Sequence, residues 1–208
     1  MNLNPINNRG LPVVVSAPSG GGKSTIVTEI LNRVPNATRS ISCTTRSPRA
    51  GEKEGVDYFF VTEAEFKKRV SAGEFLEWAV VHNYSYGTPA SGFEDQLKKG
   101  KDVVLTIDPQ GAASVRKIYP DGVFIFVVPP TWDILSERLQ KRASDNPDTV
   151  GVRLTNARKE VQSLTSYDYL VVNDDLSLAV SDVAAIIQAE HHRLTRINKR
   201  DIPILHES

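Results

Sequence analysis

The sequence predicts an α/β fold built on a parallel sheet. Three observations carry this. Short β-branched runs alternate with stretches of helical spacing along the chain. The first such run leads at once into a glycine-rich turn and a helix. The 208 residues are enough for one domain with insertions, and for a sizeable buried core.

The elements follow in order. Pro12 to Ala17 (PVVVSA) is short and apolar, as a buried strand should be. Ser24 to Val34 carries Ile26, Ile30, Leu31 and Val34 at helical spacing. Val103 to Ile107, Val123 to Val128 and Tyr169 to Val172 read as further buried strands. Helices are expected after each, at about Gln110–Ile118, Thr131–Arg142 and Leu176–Arg196. Pro129 and Pro130 mark the stop before the middle one. Between Arg39 and His82 the composition changes, becoming rich in Thr, Arg, Gly and Pro. Thr62 and Glu65 form a Thr-x-x-Glu capping box for a helix ending near Gly73, and Phe75 to His82 is another strand. This stretch reads as an antiparallel or mixed insertion beside the parallel core. Ser144 to Thr149 reads as a polar surface loop between two basic helices.

Composition narrows the function. Hydrophobic residues make up 40% and charged residues 24%, which excludes disordered and collagen-like chains. The 25 Lys+Arg balance 25 Asp+Glu, so nucleic-acid binding by bulk charge is disfavoured and any anion must be met by a local cluster of donors. The one cysteine, Cys43, excludes an internal disulfide and a cysteine-based zinc site. It sits among small and polar residues as structural filling. The four histidines show no metal-ligand spacing, and Trp78 and Trp132 are expected to pack. The N-terminus has no apolar run, and the longest apolar stretch is far below the ~20 residues of a membrane helix. The expectation is a soluble, cytoplasmic protein with no nucleic-acid or membrane partner.

Ala17-Pro18-Ser19-Gly20-Gly21-Gly22-Lys23-Ser24 is a Walker A pattern with Ala17 in the position of its usual glycine. Its place between a strand and a helix is what the chemistry requires. Consecutive glycines let backbone N–H groups turn inward around phosphate oxygens, and the helix N-terminus adds its own free donors. Lys23 supplies a mobile charge for the outer phosphates, and Ser24 a hydroxyl for Mg²⁺. A P-loop NTPase-type core follows.

A second anion site is suggested by Arg46 and Arg49, three apart around Pro48, with Gly51, Gly55 and Tyr58 close behind, because guanidinium forks match phosphate oxygens in pairs. At this point the sequence resembles the guanylate kinase family. Thr44-Thr45-Arg46-x-Pro48-Arg49-x-Gly51-Glu52-x-x-Gly55-x-Asp57-Tyr58 is similar to that family's signature. The resemblance runs on through Phe75-x-Glu77-Trp78, Tyr86-Gly87-Thr88, Ile107-Asp108-x-Gln110-Gly111 and Val172-Asn173-Asp174-Asp175, and covers about Pro12 to Ala189.

The resemblance implies three parts: a P-loop core (1–36, 92–137 and 158–208), a mixed-sheet GMP-binding insertion (37–91) and a short helical lid (138–157). It implies Mg²⁺-dependent transfer of the terminal phosphoryl group of ATP to GMP. ATP would lie against Ser19, Gly20, Gly21, Gly22, Lys23, Ser24 and Thr25, with Asn173 near the adenine side and Ser24 on the metal. GMP phosphate would take Ser42, Arg46, Arg49, Tyr58 and Tyr86. The base would be read by Glu77, Thr88 and Asp108. Lys23, Arg46 and the lid arginines Arg138, Arg142 and Arg153 would be catalytic.

Two readings of Asp108 stay open. Its place after a buried strand suits a Mg²⁺ ligand, whereas the resemblance points to guanine. Thr106 departs from the family, which often has an acidic residue there, and Pro109 replaces a bulkier residue. Two rival functions are weighed. A non-catalytic guanylate-kinase-like binding module typically erodes the P-loop, which is intact here. A related P-loop kinase acting on a sugar phosphate would not need Glu77, Thr88 and Asp108.

Overall fold

The structure, a computed structural model, describes residues 9–81, 83–141, 147–197, 202 and 204, with the side chains of 147–149 excepted. In chain order the strands are β1 (Pro12–Ser16), β2 (Ala37–Arg39), β3 (Cys43–Thr44), β4 (Phe59–Phe60), β5 (Phe75–Val81), β6 (Tyr84–Pro89), β7 (Asp102–Thr106), β8 (Val123–Val128) and β9 (Tyr169–Val172). The helices are α1 (Lys23–Arg33), α2 (Glu63–Ser71), α3 (Ala90–Lys98), α4 (Pro109–Ile118), α5 (Trp132–Lys141), α6 (Pro147–Gln162) and α7 (Leu176–His191). No helix among the described residues is long and apolar enough to cross a membrane.

Five strands form a parallel sheet in the order β2-β7-β1-β8-β9. β1 is buried along its whole length, as a central strand with helices on both faces must be. Its side chains alternate between two cores. Val13 and Val15 join Ile26 and Ile30 of α1 and Val180, Val183 and Ile187 of α7. Val14 joins Phe93 and Leu97 of α3, Val115 of α4, and Leu105 and Phe124. A smaller cluster of Leu135, Leu139, Val150 and Ala157 ties α5 to α6.

The second sheet is mixed, in the order β4-β3-β6-β5, with β3 parallel to β4 and antiparallel to β6. Cys43 fills its core at 0% exposure, and burial pushes its thiol pKa up. The expected insertion boundary at 37 falls inside β2, which is the edge strand of the parallel sheet. The excursion into the second sheet therefore begins only after Arg39.

Several local expectations shift. Thr62 caps α2 by accepting from Glu65 N at 3.2 Å, but the Glu65 carboxylate is taken by Arg69 at 3.0 Å, so half of the expected box forms. The strand expected at Val103 to Ile107 spans Asp102–Thr106. Pro147–Thr149, expected in a loop, opens α6, while 144–146 and Arg142 lie outside the described residues. The helix expected to reach Arg196 ends at His191, and Leu194–Arg196 is a separate 3-10 turn. The cause is Glu190, 3% exposed. The chain turns back so that Arg193 and Arg196 donate to its carboxylate, joined by the Tyr169 hydroxyl. A buried carboxylate needs such partners. Both tryptophans are less covered than expected: Trp78 meets Phe66 edge-on at 6.5 Å and Trp132 lies 5.1 Å beneath the Arg158 guanidinium, with Trp78 49% and Trp132 41% exposed.

Candidate active site

The phosphate loop leaves β1 at its carboxyl end. Gly20 and Gly22 have φ of 85° and 92°, a region that side chains rarely adopt. Gly22 also needs its bareness for space, since a Cβ there would sit 2.2 Å from Asn173 Nδ2. That amide donates to Gly21 O at 3.0 Å, and Asn173 O accepts from Arg138 Nη2 at 3.0 Å. The loop is thus pinned from behind by the segment after β9. Gly22 caps α1 without a side-chain acceptor, and the first turn of α1 has no acidic residue. Its leading N–H groups and positive dipole end are left for an anion.

Lys23 Nζ lies 3.3 Å from Ile107 O. Burial lowers its pKa, against the opposing charges of Glu160, Asp108 and Glu77. Glu160 of α6 reaches into the loop and accepts from Ser19 N at 3.3 Å. Burial pushes its pKa up, while Lys23 pulls it down. This carboxylate thus occupies one of the N–H groups of the loop.

Two cavities open here. One, of about 200 Å³, is lined by Ser19, Gly20, Gly22, Lys23, Ser24 and Glu160, among others. The other, of about 180 Å³, is lined by Arg39, Ser42, Tyr58, Glu77, Tyr86 and Thr106, together with Lys23, Ser24 and Asp108. Lys23, Ser24, Val81 and Asp108 belong to both walls, the first, second and fourth of them polar. Asp108 caps α4, its Oδ1 accepting from Gly111 N at 2.8 Å.

Glu77 is 6% exposed. It accepts from Thr88 Oγ1 at 2.6 Å. Burial pushes its carboxyl up to about 7, with the Thr88 hydrogen bond holding it down and the Asp108 charge adding to the rise. Gly111 makes room for it: a Cβ there would lie 2.5 Å from Glu77 Oε2.

The sequence-based residues divide accordingly. Ser19, Gly20, Gly22, Lys23 and Ser24 line the loop cavity, and Ser42, Tyr58, Glu77, Tyr86 and Asp108 the second. Thr88 stands behind Glu77, its hydroxyl already committed. Thr25 and Gly21 line neither cavity, and Asn173 is buried beneath the loop. Arg46 and Arg49 do not line the second cavity. Arg46 Nη2 donates to both Glu52 carboxylate oxygens at 2.9 and 3.0 Å, its Nη1 donates to Ser47 O at 2.7 Å, and the guanidinium lies 5.6 Å over the Tyr58 ring. Arg49 is exposed. Arg153 lies part-exposed on α6. Two charged lining residues, Arg39 and Glu160, were not among the expected site residues. Arg39 sits on a strand too short to show alternation. Glu160 lies seven residues after Arg153, on the same helix face, a spacing that was legible.

A phosphate loop at the carboxyl end of a parallel sheet, sharing Lys23, Ser24 and Asp108 with a second cavity, marks a P-loop phosphotransferase. Comparison with known proteins narrows the class. The guanylate kinase family model matches residues 9–190. The guanylate kinase of Carboxydothermus hydrogenoformans is 47% identical over 193 residues, 93% of this chain and 95% of its own length. That of Thermotoga maritima is 49% identical over 188 residues, 90% of this chain and 91% of its own. The crystal structure of guanylate kinase from Anaplasma phagocytophilum superposes with a TM-score of 0.79 at 33% identity, covering 98% of this chain and 97% of that one. The chain belongs to the guanylate kinase family.

Proposed function

We propose that the chain transfers the terminal phosphoryl group of ATP to GMP across the junction of its two cavities. The observation that carries this is the shared wall of Lys23, Ser24 and Asp108. A donor phosphate in the loop cavity and an acceptor phosphate in the other would meet there. Such transfer needs in-line positioning and compensation of charge, with little covalent help from the protein. No general base is needed, because the attacking phosphate oxygen is already ionised near neutral pH.

The loop N–H groups and Lys23 would hold the donor phosphates. Entry of ATP would displace Glu160 from Ser19 N, and the phosphate would then take over its partnership with Lys23. Ser42, Tyr58 and Tyr86 offer hydroxyls to the acceptor phosphate. Arg46 would add its fork only by loosening from Glu52, and Arg49 only by folding inward. Arg138, Arg153 and Arg142 would answer charge developing on the transferred group, with closure of 138–157 excluding water. Mg²⁺ carried by ATP would add charge compensation between the phosphates. The donors here suit it: Ser24 Oγ and the Asp108 carboxylate leave most of its ligands to phosphate and water, as Mg²⁺ prefers.

Glu77 supports the choice of base. Its carboxylate matches guanine N1–H and the N2 amine, whereas adenine offers a lone pair at N1 and no N2 amine. A site built around such donors rejects an analogue lacking them by ~10⁴-fold or more. Both substrates are intracellular nucleotides, and we place the activity in the cytoplasm. The test is a coupled assay with ATP against GMP, AMP, CMP, UMP and ribose phosphates. Preference for any acceptor other than GMP would overturn the reading.

A further inference from the structure

Arg39 ends β2 at the carboxyl edge of the parallel sheet, paired in register with Val104, and its side chain lines the acceptor cavity. Its Nε is buried without a hydrogen-bond partner, and among the described residues no ion pair engages it. Neither acid on the cavity wall pairs with it, and each is hydrogen-bonded elsewhere. Glu77 is bound by Thr88 and Asp108 by Gly111 N. Thr106, on the neighbouring strand and also on the wall, is neutral. The Arg39 charge reaches the Tyr58 phenol, where it opposes the upward push of burial on that hydroxyl.

An uncompensated guanidinium beside Ser42, Tyr58 and Tyr86 hydroxyls makes a wall of hydrogen-bond donors. A phosphate, with several lone pairs on three oxygens, is the ligand that satisfies such a wall, and a planar fork engages two of those oxygens at once. A ribose or a neutral base would leave the charge unmet. Lys23 is the other cation on this wall, but it serves the donor loop. Arg46 and Arg49 approach from the second sheet, and neither reaches the cavity here.

We propose that Arg39 is a further ligand of the acceptor phosphate of GMP, supplied by the parallel core and standing in the cavity before Arg46 leaves Glu52. It would draw the phosphate towards Lys23, holding it from the side of the core while the insertion closes from the other. This rests on the cavity being the GMP site.

The experiment measures dissociation constants for GMP, for guanosine and for ADP in the wild type, in Arg39→Met and in Arg39→Lys. Methionine keeps the unbranched stem out to about the position of Nε and removes the charged guanidinium. A charge-assisted hydrogen bond lost to a ligand corresponds to a roughly 10- to 100-fold weakening. GMP binding to Arg39→Met should weaken by that factor, guanosine and ADP binding should not change, and Arg39→Lys should fall between, with the charge kept and the fork lost. Arg39 is part-exposed on an edge strand, and unchanged ADP binding verifies the fold. If Arg39→Met binds GMP as tightly as the wild type, the proposal fails. It also fails if GMP and guanosine weaken equally, since Arg39 would then shape the pocket without meeting the phosphate. Failure of the wild type itself to bind GMP would instead overturn the functional reading on which this one stands.

Discussion

Thr88 Oγ1 donates to Glu77 Oε1 at 2.6 Å across directly opposed positions of β5 and β6. Both residues are buried. The pairing places a carboxylate on the wall of the second cavity and leaves its other oxygen against the bare face of Gly111. The antiparallel pair thus fixes a charged group where the apolar surroundings disfavour charge.

Base selection should depend on this carboxylate. Glu77→Gln keeps the size but turns an acceptor oxygen into an NH₂ donor. Activity with GMP should fall by two or more orders of magnitude, on the order of 3 kcal/mol, and activity with AMP much less. The measurement is the GMP/AMP ratio of kcat/KM; an unchanged ratio in a folded variant removes Glu77 from the base site.

The raised Glu77 pKa predicts a pH dependence of stability. The folded state holds a proton up to about 7, while the unfolded chain releases it at an ordinary carboxylate pKa of about 4.3. Between these values the folded state binds more protons, so stability falls as pH rises. The wild type should lose on the order of 3 kcal/mol relative to Glu77→Gln from pH 4 to pH 8, levelling off above about 7. Denaturant midpoints of both proteins across this range check it. GMP, whose donors require the ionised form, should release a proton from Glu77 on binding near pH 6 to 7, seen as buffer-dependent heat in calorimetry.

Gly111→Ala tests the close approach. Its backbone is helical and unstrained, so alanine by itself should favour α4 by up to about 1 kcal/mol. The new methyl, however, would lie 2.5 Å from Glu77 Oε2, and the carboxylate is tied by Thr88. GMP affinity should drop about tenfold or more. In a Glu77→Ala background the same substitution should cost little, so a double-mutant cycle on GMP binding should return a coupling well above zero.

Asn173→Ala removes the amide that holds Gly21 O and leaves a carbonyl without its partner. Stability should fall by about 1–3 kcal/mol. ATP affinity should fall with it, because the loop loses its rear support. GMP binding should change less. Thermal melts with and without ATP separate the two effects.

Lys23→Ala should still fold, since the loop is held by Asn173 and by the Gly21 N to Pro18 O bond at 2.8 Å. Turnover should drop by orders of magnitude, each tenfold being about 1.4 kcal/mol of barrier. Near-normal turnover in the folded variant would mean that the shared lysine is not catalytic.

Much of this site could be read along the chain because its signals are local. A strand, three glycines, a lysine and a helix start lie within a few residues, and periodicity reports which face of each element is apolar. The Thr62 cap is equally local. Expectations failed where a partner, near or far along the chain, had no residue pattern to announce it. The α7 helix stops at His191 because Glu190 needs Arg193 and Arg196. Arg46, read as a free phosphate fork, is paired with Glu52. Arg39 and Glu160 carried no motif at all, and Asn173 lay in one that gave no hint of its bond to Gly21, 152 residues away.

The sequence by itself determined the alternation of strands and helices, the phosphate loop, and the residue types able to meet phosphate and guanine, since backbone freedom, side-chain chemistry and period are properties of neighbours. Only the tertiary structure decided that β2 belongs to the parallel sheet, that Lys23, Ser24 and Asp108 stand with Val81 on the wall common to two cavities, that Thr88 and Gly111 hold Glu77, and that Arg39 rather than Arg46 lines the second of those cavities. These depend on strand order and on the crossing of elements far apart in the chain. Burial and Coulomb fields act through that space, whatever the separation along the backbone.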